Sequence, residues 1–158
     1  MFENKAANAV AAFERGGHEE LRGYLRICRE RGYEPTKDQL AEAGLPEVIA
    51  RVALSAFEQR KPTQVWLHAE GARRYCGERY ADFALAQAFA QQAVSYKQSG
   101  DTRSIRRLYD GAHNFVLWRQ MVRQAFVDAG LGIPKKHKDI PQAVPAEPVR
   151  ILIGSRIK

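Results

Sequence analysis

Apolar residues recur along this chain with a helical period, and the breaks between runs are short. Leu21, Tyr24, Leu25 and Cys28 fall at i, i+3, i+4 and i+7, the stripe of an amphipathic helix over residues 18–31 that Gly32 closes. An Ala-rich stretch, residues 4–15, reads as a separate short helix ended by Gly16 and Gly17. Thr36 and Gln39 form a capping box that opens a short helix to Ala43. After a turn at Gly44, Pro46 suits the first turn of a helix to about Arg60, with Val48, Ile49, Val52, Ala56 and Phe57 inward. Lys61 and Pro62 end it. Thr63 then caps a segment reaching Tyr96, interrupted near Gly71 or Gly77. Its second half carries Phe83, Ala84, Leu85, Ala88, Phe89, Ala93 and Val94 on most sides, as the central helix of a bundle does.

A turn at residues 99–102 leads into the last helix, which reaches Asp128 or Ala129. Its stripe starts as Ile105, Leu108, Tyr109, Ala112, Phe115 and Val116, then rotates to Trp118, Met121, Val122, Ala125 and Phe126. That rotation predicts a bend near residues 111–114. Beyond Gly132 the pattern is lost, and Pro134, Pro141, Pro145 and Pro148, four of the chain's seven prolines, exclude helix. The expected fold class is all-α: a compact bundle of five to seven helices over residues 2–132. A basic, Pro-rich, extended C-terminal tail over residues 133–158 follows, with a short strand at 149–153 that docks on the body or pairs with another strand.

Composition adds that the chain can sustain a core. Its 158 residues are 45% hydrophobic and 27% charged, ordinary for one globular domain. Cys28 and Cys76 are too few for a disulfide framework and lie in amphipathic segments, so both are expected as buried thiols in a reducing compartment. The first fifteen residues lack the basic and apolar regions of a secretory signal, and no apolar run approaches a membrane span. A cytoplasmic location is the expectation.

Charge narrows the partners. The net charge is +7 and the isoelectric point about 9.6, which favours nucleic acid or another acidic surface. The tail holds a surplus of four positive charges and the remaining residues only three.

The arrangement of arginines says more than their number. They form short helical stripes beside tyrosines: Arg22, Arg26 and Arg29; then Arg73, Arg74, Tyr75, Arg79 and Tyr80; then Arg103, Arg106, Arg107 and Tyr109. Like charges at i, i+4 repel by a few tenths of a kcal/mol. Three arginines in the first turns of the last helix also oppose its dipole, although Arg106 can pair with Asp110. An external anion would relieve both. Tyr75, Tyr80 and Tyr109 could stack on unpaired bases, or be core residues with a polar tip at the surface. Lys135, Lys136 and Lys138 make a basic extended segment able to follow phosphates, or a solvated charge run. Residues 36–52 have the outline of a helix-turn-helix, but Glu47 and Arg51 are poor chemistry for base edges, and an ordinary helical hairpin is the better reading.

Catalytic readings are weak. His68, Cys76 and His113 lack metal-ligand spacing, and no glycine-rich phosphate loop follows a strand. Glu70, Arg74, Glu78 and Asp82 read as a salt-bridge ladder rather than an acid/base pair. The expectation is a non-enzyme without cofactor or metal. It would bind nucleic acid through Arg103, Arg106, Arg107 and Tyr109, with Arg73, Arg74, Arg79, Arg22, Arg26, Lys135, Lys136 and Lys138 contributing. The rival is an adaptor or inhibitor that grips an acidic surface of a partner protein. A homo-oligomer is compatible with either.

Overall fold

A computed structural model describes residues 4–134, and every regular element among them is helical. The elements are α1 (Lys5–Glu30), α2 (Lys37–Glu42), α3 (Leu45–Glu58), α4 (Pro62–Cys76), α5 (Glu78–Gln98), α6 (Thr102–Phe115) and α7 (Arg119–Asp128). The tail strand expected at 149–153 lies outside the described residues. The chain divides into two compact units, Met1–Ala88 and Phe89–Lys158, with α5 beginning in the first and ending in the second.

Local chemistry sets most boundaries. Asn4 accepts from the Ala7 N–H at 3.0 Å to start α1. The capping box at α2 is complete, with Thr36 accepting from the Gln39 N–H and Gln39 accepting from the Thr36 N–H. Caps of this kind contribute about 1 kcal/mol each. Pro46 sits in the first turn of α3 as expected. Thr63 is not a cap: Pro62 occupies the first turn of α4, so Thr63 lies inside the helix. The interruption between α4 and α5 falls at Gly77, and Gly71 stays helical.

In the first unit Ala6, Ala9, Phe13, Leu21, Leu25, Leu40, Leu45, Ile49, Ala72, Cys76 and Ala81 form one buried cluster. Small residues dominate where helices approach: Ala50, Ala53 and Ala56 of α3 and Ala69 and Ala72 of α4 are all buried. Helices α3 and α4 pack extensively against each other. Val52, expected inward, is instead 38% exposed, because the buried face of α3 runs through Ile49, Ala50, Ala53 and Ala56. Ala84, Leu85 and Ala86 of α5 are consecutive and all buried, which a one-sided helix cannot achieve. Phe83 breaks the expectation of an inward position and is exposed.

The second unit buries Phe89, Ala90 and Ala93 of α5, Leu108, Tyr109, Ala112 and Phe115 of α6, and Val122, Ala125 and Phe126 of α7. Where the sequence predicts a bend at 111–114, the helix breaks slightly later, between Phe115 and Arg119. Trp118 adopts extended backbone there and its side chain is exposed. No helix among the described residues is long and apolar enough to cross a membrane.

Candidate nucleic-acid interface

Two glycines shape the most unusual side-chain arrangement in the first unit. Gly17 has φ 72 and ψ −154, a backbone state that costs any other residue about 1–3 kcal/mol. It kinks α1 immediately before His18. The His18 ring then rests on α4 at Gly71, where an added Cβ would lie 2.5 Å from Cε1 and 2.9 Å from Nδ1. Only a residue without a side chain permits that approach.

His18 Nε2 is 2.9 Å from His68 Nδ1, so one imidazole donates and the other accepts. Phe13 meets the His18 ring edge-on at 5.0 Å, and Tyr75 lies nearly parallel to it at 6.3 Å. Burial first, then charge repulsion from His68, Arg22 and Arg74, together push the His18 pKa down to about 4. Burial also lowers that of His68. The charged groups acting on His18 are thus all basic, and they come from two helices. Arg22 of α1 and Arg74 of α4, members of separate stripes in the sequence, thus both lower the pKa of one ring.

Arginine stripes divide into matched and unmatched members. Arg73 is turned inward, its side chain 11% exposed. Its Nε and Nη2 donate to Asp82 Oδ1 at 3.0 and 2.9 Å, and Nη1 lies 3.8 Å from Glu70. Asp82 is 1% exposed. The acidic ladder is therefore built on Arg73, not Arg74 as the spacing suggests, and Arg73 serves the fold rather than a surface. Arg29 pairs with Glu34 at 3.2 Å, and Arg106 with Asp110 at 3.7 Å. Arg22, Arg26, Arg74 and Arg79 are exposed and make no ion pair among the described residues.

In the second unit, Asp101 caps α6 by accepting from the Ser104 N–H and hydroxyl, which relieves the helix dipole. Those bonds, then Arg107 and Arg103 nearby, hold its carboxyl below the usual range. The arginines at the start of α6 are thus partly answered by Asp101 and Asp110. Tyr109 is 5% exposed and packs edge-on against Phe126 and His113, with Arg123 bonding to its hydroxyl. Burial raises its pKa. Tyr80 is exposed. Lys135, Lys136 and Lys138 lie outside the described residues.

Both cysteines are buried and free, and burial pushes the Cys76 thiol up to about 12, too basic for a nucleophile. No group of three or more His, Cys, Asp or Glu side chains able to hold a metal occurs among the described residues. Sequence reasoning missed His18, whose partner lies fifty residues away. The local signals were the paired glycines before it and the lone Gly71 inside a helix.

No family model matches the chain, and no curated protein or solved structure does so either.

Proposed function

We propose that this protein binds nucleic acid without catalysis, through arginine contacts to phosphate, as a regulator or accessory subunit of a nucleoprotein assembly. One observation carries the reading: Arg22 and Arg26 of α1 and Arg74 of α4 are exposed and make no ion pair among the described residues. Cations without an internal counter-charge repel one another, and an anion beside them relieves that repulsion. Arg26 follows Arg22 by one turn, about 6 Å along the axis. That spacing suits successive charges on a polyanion better than a single small ion. Arg79, Arg103, Arg106 and Arg107 add cationic surface, and affinity would come mainly from counterion release with little sequence discrimination. The buried free thiols suit the cytoplasm.

A second reading has its own support. Trp66, Leu67, Tyr80 and Phe83 are large apolar residues exposed in the first unit, and aromatic residues beside arginines also mark protein-binding hot spots. Under that reading the arginines grip an acidic protein surface. Capture of partners from a lysate with and without nuclease separates the two. Loss of the captured material on nuclease treatment, together with binding of purified protein to unrelated oligonucleotides, supports nucleic acid. Nuclease-resistant capture of protein with no oligonucleotide binding at low salt overturns it.

A further inference from the structure

A cleft of about 550 Å³ opens in the second unit between the end of α5, the start of α6 and the segment after α7. Lys97, Thr102, Arg103 and Arg106 line it together with Ile105, Leu131 and Pro134. From these walls we infer that the cleft takes one unstacked nucleotide of a single-stranded nucleic acid, its base against Ile105, Leu131 and Pro134 and its phosphate on Arg103 and Arg106. The inference rests on the nucleic-acid reading and names the kind of strand.

Size and chemistry agree. Small-ligand pockets span about 300–1,000 Å³ and combine apolar walls with a few placed polar groups. Here three apolar residues, Ile105, Leu131 and Pro134, line the cleft together with the cations Lys97, Arg103 and Arg106. An acyl chain would need a longer apolar channel. Arg103 makes no ion pair among the described residues, and Arg106 holds Asp110 only at 3.7 Å, so both guanidinium groups keep donors for an incoming anion. The helix end itself adds nothing, since Asp101 already occupies the Ser104 N–H. The walls are held in place: Lys97 Nζ donates to the Gly130 carbonyl at 2.9 Å, and the Leu131 N–H donates to the Phe126 carbonyl at 3.0 Å. A base within a duplex is stacked on both faces and cannot present itself to such a wall, whereas a single strand can splay one out.

The test compares an eight-residue oligothymidylate with an octamer of the same backbone that lacks all bases, by fluorescence anisotropy at one salt concentration. Wild-type protein should bind the base-bearing strand about tenfold more tightly, the usual order for one packed base. Leu131→Ser should bring its affinity down to the baseless level, whereas Arg103→Ala should weaken both strands alike. Far-UV circular dichroism confirms folding, and Ile105→Thr takes the place of Leu131→Ser if that variant unfolds. Equal binding of both strands by wild type would overturn the cleft while leaving phosphate binding intact. A base preference that survives in the wall variant also overturns it, because the base then sits elsewhere. If neither strand binds, the nucleic-acid reading itself fails. Displacement of the strand by laurate but not by thymidine monophosphate would assign the cleft to an amphiphile and overturn the inference.

Discussion

At the scale of single residues, Arg73 and Arg74 are neighbours with opposite duties. Arg73 neutralises Asp82 in the interior, and removing one partner of a buried pair costs about 3–5 kcal/mol. Arg73→Ala should therefore lower stability by that order in denaturant unfolding. Arg74→Ala should change stability by under about 0.5 kcal/mol, as surface substitutions do, and weaken oligonucleotide binding instead. Equal stability losses in the two variants would contradict the division. His18 gives a pH prediction. Its pKa is 6.5 in an unfolded chain and about 4 in the fold, so below pH 6.5 the unfolded state binds the extra proton. Stability is complete above pH 6.5, declines as pH falls through this window, and has lost the His18 contribution by about pH 4. Unfolding midpoints measured across pH 7.5 to 4 should show the decline, and His18→Asn should flatten it. Gly71→Ala forces a Cβ onto the same ring and should cost about 1–3 kcal/mol, despite the better helix propensity of alanine. Stabilisation by that change would show that the ring does not lie where the contact places it.

Elements carry the next set of consequences, beginning with the kink in α1. Alanine at Gly17 would favour a continuous helix, yet the native backbone there admits almost only glycine. Gly17→Ala should lower the melting temperature, and a higher one would mean that the kink is dispensable. Much of this level was legible in the sequence because its causes are local. The capping box at Thr36, the Gly16–Gly17 break and the buried faces of α1 and α6 all follow from residues within a few positions. What stayed hidden depends on distant partners. Arg73 and Arg74 differ by about 100° around one helix, and Asp82, nine residues on and past Gly77, decides which turns inward. The inward stripe puts Tyr109 towards the core, as the structure does, but the ring that packs on it, Phe126, comes from α7. The His18–His68 pair had no signature at all in the spacing of histidines. Of the arginine stripes, Arg22, Arg26, Arg74 and Arg79 make no ion pair among the described residues, whereas the α6 cluster most favoured by pattern is partly answered by Asp101 and Asp110.

For the whole molecule, the excess positive charge is unevenly spread, and only the arginines without internal partners need an outside anion. Phosphate contacts release counterions, so each contact to a single strand adds about 0.7 to the slope of log affinity against log salt. With about five contacts, affinity should fall roughly a hundredfold between 50 and 200 mM salt. The decisive measurement is that slope for wild type and for Arg22→Glu with Arg74→Glu, taken on one unrelated-sequence oligonucleotide with folding checked by circular dichroism. A steep slope in the wild type, made shallower by about 1.4 and accompanied by at least about tenfold weaker binding in the double variant, is the predicted result. A folded double variant that binds with the wild-type slope and affinity, or a wild type that binds nothing at 50 mM salt, would contradict the proposed role of these arginines.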